Sequence, residues 1–175
     1  MFTDTDRAMM TVALEEALEA LREGEIPVGA VVARGSEIIA RAHNTREKSL
    51  DPTGHAEINA LRLAAQKTGD WRLTGCTLYV TLEPCCMCAG AIGQARPDRV
   101  IFGAYDTQAG CCVSLYRLTE DPAFAWYVPS DGGLMADRCS ALLRDALKPR
   151  RVPIVPADTE KINLGVSKDA DKRVN

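Results

Sequence analysis

Between Thr77 and Phe102 the chain spells out a strand, a helix and a second strand. The stretch TLYVTL (77–82) is rich in β-branched and aromatic residues, as a strand should be. Pro84 ends it. Small residues from Cys85 to Ala95 then read as a helix, and Arg99 to Phe102 as a short strand. Two strands joined by a helix are expected to lie parallel with a crossover between them. An α/β sheet is therefore the frame into which the rest must fit.

The neighbouring segments fit that frame. The first helix is expected to be capped by Asp4 or Asp6 and to end at Gly24, with Met10, Leu14, Ala17, Leu18 and Leu21 at helical spacing. Two strand-like runs, Val28 to Ala33 and Glu37 to Ala40, flank Arg34-Gly35-Ser36 and predict a hairpin. A polar loop, Asn44 to Gly54, leads into a helix with Ile58, Leu61 and Ala65 on one face. The segment DGGLMADRCSALLRDAL reads as a last helix, with Leu134, Cys139, Leu142 and Leu143 roughly periodic. One domain over residues 1–151 is expected, followed by a tail (152–175) whose mixed charge and lack of amphipathic order predict disorder.

Chemistry concentrates in the crossover. Cys85 and Cys88 stand two residues apart at the start of the predicted helix, on one side of its first turn. Alone, such a pair fits a redox couple or half of a structural zinc site equally well. The chain has only two histidines, and one of them, His55, opens the other helix with Glu57 two residues on. Cys111 and Cys112 are adjacent, which suits joint ligation poorly. His55, Cys85 and Cys88 then make a three-ligand zinc site with a fourth position left for water, the mark of a catalytic centre. Zinc lowers the pKa of such a water, and Glu57 is the natural proton carrier beside it. A histidine and a glutamate with a following Pro-Cys-x-x-Cys is the known signature of zinc deaminases acting on nucleobases.

Composition narrows the setting. A net charge of −3 gives no large basic surface, though it leaves room for a local basic patch. No apolar run is long enough to cross a bilayer, and the acidic start lacks the pattern of a signal peptide. Seven cysteines without a secretion signal point to a reducing, cytoplasmic setting rather than a disulfide framework. Cys76, Cys86, Cys111, Cys112 and Cys139 are expected to be small buried residues.

The chain resembles the cytidine deaminase superfamily, and within it the tRNA adenosine deaminase branch. The stretches that carry the resemblance are IPVGAVV (26–32), DPTGHAEINALR (51–62), RLTGCTLYVTLEPCCMCAGAI (72–92), RVIFGAYD (99–106) and GGLMADRC (132–139), within residues 5–151. The resemblance implies a three-layer α/β/α fold around a mixed five-stranded sheet, and a homodimer. It implies one Zn2+ per subunit on His55, Cys85 and Cys88, with Glu57 as the catalytic proton shuttle. Asn44 would hydrogen-bond the base, although a turn role also suits it. The N–H of Ala56 would face the attacking oxygen.

Three departures touch the part of the family pattern that holds the anticodon loop. Ala125-Trp126 after Phe124 replaces an Asn-His pair, Gln94-Ala95-Arg96 replaces a His-Ser-Arg or His-Ala-Arg, and Ala146-Leu147 replaces a pair of phenylalanines. Gln94 and Trp126 are accordingly candidate substrate-contact positions. Trp126 either stacks on a base or closes the pocket against water. Arg144, Lys148, Arg150 and Arg151 form a basic cluster that suits RNA or a solvated helix end equally. Two enzymatic readings follow: deamination of the wobble adenosine in a tRNA anticodon loop, or of a free purine base or nucleoside. A third, a non-catalytic zinc-binding subunit, is disfavoured by the presence of Glu57.

Overall fold

The computed structural model describes residues 1–147. In chain order the elements are α1 (Asp4–Arg22), β1 (Gly29–Arg34), β2 (Glu37–His43), α2 (Arg46–Ser49), α3 (Ala56–Thr68), β3 (Thr77–Leu82), α4 (Cys86–Ala95), β4 (Arg99–Ala104), β5 (Ser130–Gly132) and α5 (Ala136–Leu147). The sheet runs β2-β1-β3-β4-β5. The first three strands pair antiparallel, and β3, β4 and β5 pair parallel. The expected mixed five-stranded α/β/α architecture is what the chain adopts.

The layers follow from strand alternation. Val32, Leu78, Val80, Val100 and Phe102 face α3 and α4, where they meet Ala56, Ala60, Leu61, Ala64, Ala89 and Ile92. Val31, Tyr79 and Ile101 face the other way, against Met9, Met10, Ala13 and Leu14 of α1 and Cys139 of α5. Because both faces are covered, the central strands are apolar throughout. α1 lies so close to β1 that a Cβ on Gly29 would fall 2.0 Å from the Ala13 carbonyl oxygen, which is why glycine stands there.

Several sequence expectations are corrected. α1 is capped by Thr3, not by Asp4 or Asp6. The Thr3 hydroxyl accepts the Asp6 N–H, and the Asp6 carboxylate accepts the Thr3 N–H, forming a capping box. Leu18 and Leu21 face solvent, while Glu16 is 8% exposed because Arg41 and His43 of β2 reach it. β2 runs on to His43, past a bulge at Val32/Ala33. The Asp131-Gly132 stretch, expected in the last helix, belongs to β5, and α5 begins only at Ala136. Gly132 makes this possible, since a Cβ there would fall 2.3 Å from the Phe102 ring. Cys86 is exposed rather than buried. It lies two residues before the buried Cys88, and each helical residue turns the side chain by about 100°. The expected tail (152–175), and Lys148, Arg150 and Arg151 of the basic cluster, lie outside the described residues. Arg144 is exposed on α5. Among the described residues no helix is long and apolar enough to cross a membrane.

Candidate metal centre and its surroundings

Two helix N-termini converge at the carboxyl end of β3. His55 is the N-cap residue of α3 and Cys85 the N-cap residue of α4. Neither side chain caps its own helix, so both are free to turn outward. Cys88, one turn into α4, is fully buried beside them. His55 Nδ1 lies 3.5 Å from the Cys88 Sγ and 3.7 Å from the Cys85 Sγ. In a tetrahedron with Zn–N of about 2.05 Å and Zn–S of about 2.3 Å, the nitrogen–sulfur edge is about 3.6 Å. The donor set therefore fits one zinc ion, and it is the one such group of side chains among the described residues.

The electrostatics suit a cation. A hydrogen bond from Cys88 lowers the Cys85 thiol to about 4, and the same bond, with burial, pushes Cys88 up. A bound dication deprotonates its coordinating thiols outright, so both would serve as thiolates. Contact with Cys85 raises His55. Glu57, buried in the first turn of α3, is held above the ordinary carboxylate range, chiefly by burial. A carboxyl shifted towards neutrality can both accept and return a proton.

Around this centre the chain builds a scaffold that motif reading only partly anticipated. Asn44, at the end of β2, is buried, and its Oδ1 accepts the Ala56 N–H at 2.9 Å. The Ala56 N–H, which the resemblance implied would face the attacking oxygen, here donates to Asn44. With its oxygen so engaged, the Asn44 side chain keeps its two NH2 donors. Asn59 of α3 donates to the His43 carbonyl at 2.9 Å and to the Thr45 hydroxyl at 3.1 Å, clamping the backbone on both sides of Asn44.

Glu83 was not foreseen at all. It is 2% exposed, between the end of β3 and Pro84-Cys85. One oxygen accepts the N–H groups of Cys112, Val113 and Ser114. The other accepts the Asp106 N–H and the Ser114 hydroxyl. Glu83 thus ties residues 106–114 to the strand that delivers Cys85, and a bridge between Cys85 and Gly110 continues the tie. The sequence signal was a carboxylate at the end of an apolar strand, a residue rarely buried without partners.

Of the candidate substrate contacts, Asn44 and Ala56 lie against the centre. Gln94 does not join them: it is exposed in the last turn of α4, away from the buried face of Cys88, Ala89, Ile92 and Gly93. Trp126 packs on that same helix at Gly93, where an added Cβ would fall 2.2 Å from the indole Nε1. That Nε1 is buried without a hydrogen-bond partner.

Comparison with known proteins follows the same lines. Residues 3–104 match the cytidine and deoxycytidylate deaminase zinc-binding region. The chain is 43% identical over 138 residues to the tRNA-specific adenosine deaminase of Bacillus subtilis (strain 168), covering 79% of this chain and 86% of that one. Among solved structures it superposes on a tRNA:A34 deaminase studied for A-to-I editing at the wobble position of transfer RNA. The TM-score is 0.75 at 39% identity, covering 78% of this chain and 99% of that one. It is also similar to the guanine deaminase of Nitrosomonas europaea, with a TM-score of 0.68 at 25% identity over 80% of this chain and 83% of that one.

Proposed function

The chain belongs to the cytidine and deoxycytidylate deaminase family, and from that premise we propose that it converts the wobble adenosine of tRNA to inosine by zinc-dependent hydrolysis, in the cytoplasm. The observation that carries the chemistry is the ligand triangle of His55, Cys85 and Cys88, with buried Glu57 beside it. The tRNA substrate rests on the 43% identity to an adenosine deaminase of that specificity along most of both chains.

His55, Cys85 and Cys88 would hold the zinc ion, which when bound would supply a water of near-neutral pKa. Glu57 takes a proton from the attacking water and passes it to N1 of the adenine ring as oxygen adds at C6. It then takes the second proton from the hydroxyl added at C6 and gives it to the departing amine, so that adenosine and water become inosine and ammonia. Asn44 orients the ring through its NH2 donors while its oxygen stays on Ala56 N–H. Asn59 keeps Asn44 in register. Exclusion of bulk water strengthens each of these contacts.

The second reading, a free purine base or nucleoside, draws on the likeness to guanine deaminase and on the Ala125-Trp126 departure. A homodimer is part of the proposal. The cleft between α3 and α4, where Ile58, Leu61, Met87 and Ala91 lie beside Thr53 and Arg62, is the surface offered for it, and sedimentation tests it. For the substrate, the experiment is ammonia release from an anticodon stem-loop with a wobble adenosine, beside a panel of free purines and nucleosides. Inosine in the stem-loop is the expected result. Turnover of a small molecule with the stem-loop left intact overturns it.

A further inference from the structure

Five of the nine aromatic residues, Tyr105, Tyr116, Phe124, Trp126 and Tyr127, fall within the segment between β4 and β5. They do not build the core: Phe124 is 43% and Tyr127 68% exposed. Phe124 and Trp126 lie ring on ring, with centroids 4.7 Å apart and planes 9° from parallel. Phe124 thus has one face against Trp126 and stays exposed.

The segment is anchored to the helix that carries the zinc ligands. At its start, Cys111 N–H donates to the Pro84 carbonyl at 2.9 Å, and Glu83 holds Cys112 to Ser114. At its far end, Trp126 sits in the notch left by Gly93 of α4. The indole N–H is enclosed there with no acceptor, so Trp126 has no free polar edge to offer a substrate and acts through its ring surface. Gly93 follows Cys88 by five residues, about 7.5 Å along the helix axis. The ring pair is thus offset along α4 from the zinc ligands, beside the centre and not at it.

Resting on the tRNA reading above, we propose that the Phe124–Trp126 pair is a stacking platform for an unpaired base flanking the target adenosine. Single-stranded RNA loops are read by splayed bases laid on aromatic rings, and such stacking tolerates any base because every base has a π-face. The chain thus holds its RNA by ring surface where the family pattern uses the polar side chains of an Asn-His pair. Trp126 serves as the support and Phe124 as the contact.

The test compares wild type, Phe124→Ala, Phe124→Leu and Phe124→Tyr on an anticodon stem-loop with a wobble adenosine, and on versions made abasic at the nucleotide 5′ or 3′ to it. Zinc content and sedimentation are followed alongside. Phe124→Ala is expected to raise KM about tenfold with kcat within about twofold and zinc unchanged. Phe124→Leu should behave like Phe124→Ala, and Phe124→Tyr should restore the wild-type KM. One of the two abasic substrates should erase the difference between wild type and Phe124→Ala. An unchanged KM in Phe124→Ala, or a penalty that persists on both abasic substrates, overturns the platform and leaves the tRNA reading standing. Loss of self-association in Phe124→Ala also overturns it, by assigning the ring to a second copy. A wild-type protein that leaves the stem-loop untouched sinks the tRNA reading and the platform with it.

Discussion

Asn44 and Ala56 are joined by a 2.9 Å hydrogen bond from the Ala56 N–H to the Asn44 side-chain oxygen. The bond ties the end of β2 to the first turn of α3, one residue from His55 and one from Glu57. In the proposed mechanism it also divides the labour of a single amide, with the oxygen for the scaffold and the NH2 for the base.

This division predicts that two substitutions at Asn44 will separate. Asn44→Ala strands a buried N–H and should cost about 1–3 kcal/mol of stability as well as activity. Asn44→Asp keeps the acceptor and removes the donors, so it should lose much less stability while kcat/KM falls by at least tenfold. Thermal unfolding beside steady-state kinetics reads both. Equal stability loss in the two variants would refute the assignment.

Glu57 is buried and held towards its neutral form, but it is not needed to hold the metal. Glu57→Gln should therefore keep zinc at one ion per chain and lower kcat by about 10²–10⁴-fold, the usual contribution of a positioned acid–base group. Cys88→Ser and His55→Ala should instead lose zinc, with a fall in thermal stability that wild type shares after chelation. Metal analysis with ammonia release distinguishes the two classes.

How far these features could be read without coordinates depended on where their partners lie. The ligand group His55, Cys85 and Cys88 was legible because metal chemistry demands scarce residue types, two of them here at a short spacing. The β3–α4–β4 unit was legible because each element is long enough to show its period. β5 was missed because three residues, one of them glycine, carry no period. The burial of Glu16 depends on Arg41 and His43, and that of Glu83 on the backbone of Asp106 and Cys112 to Ser114. These are partners distant in sequence that no local pattern announces. Asn44 was recognised as a candidate, but its bond to Ala56 was not, because one amide can serve either a base or a backbone.

Glu83 makes the fold sensitive to acid. Burial opposes its charge, but the hydrogen bonds from Ser114, Asp106 and Val113 outweigh it, and the carboxyl titrates below its ordinary range. A group lowered on folding contributes stability that is fully present above its unfolded pKa, about 4.3, and is lost as pH falls through the folded value. Glu83→Gln should therefore be destabilised near neutral pH, where it gives up charge-assisted bonds and turns an NH2 towards N–H donors. The difference from wild type should narrow steadily below pH ~4.3. Urea unfolding from pH 7 down to pH 3 measures it, and a constant gap across that range would contradict the assignment.

Gly93 and Trp126 form the last pair whose roles can be separated. A methyl at Gly93 would fall 2.2 Å from the indole Nε1, so Gly93→Ala must push the ring out of its notch. The chain has two tryptophans, and Trp71→Phe leaves Trp126 as the sole emitter. In that background Gly93→Ala should shift the emission to longer wavelength as the ring meets water, and should weaken stem-loop binding as the platform under Phe124 is lost. Trp126→Ala relieves the clash, so Gly93→Ala should add little destabilisation on top of it. A double-mutant cycle of unfolding free energies then gives a coupling of about 0.5–3 kcal/mol, the range for side chains in direct contact. Strict additivity of the two changes would mean that the notch and the ring do not depend on one another.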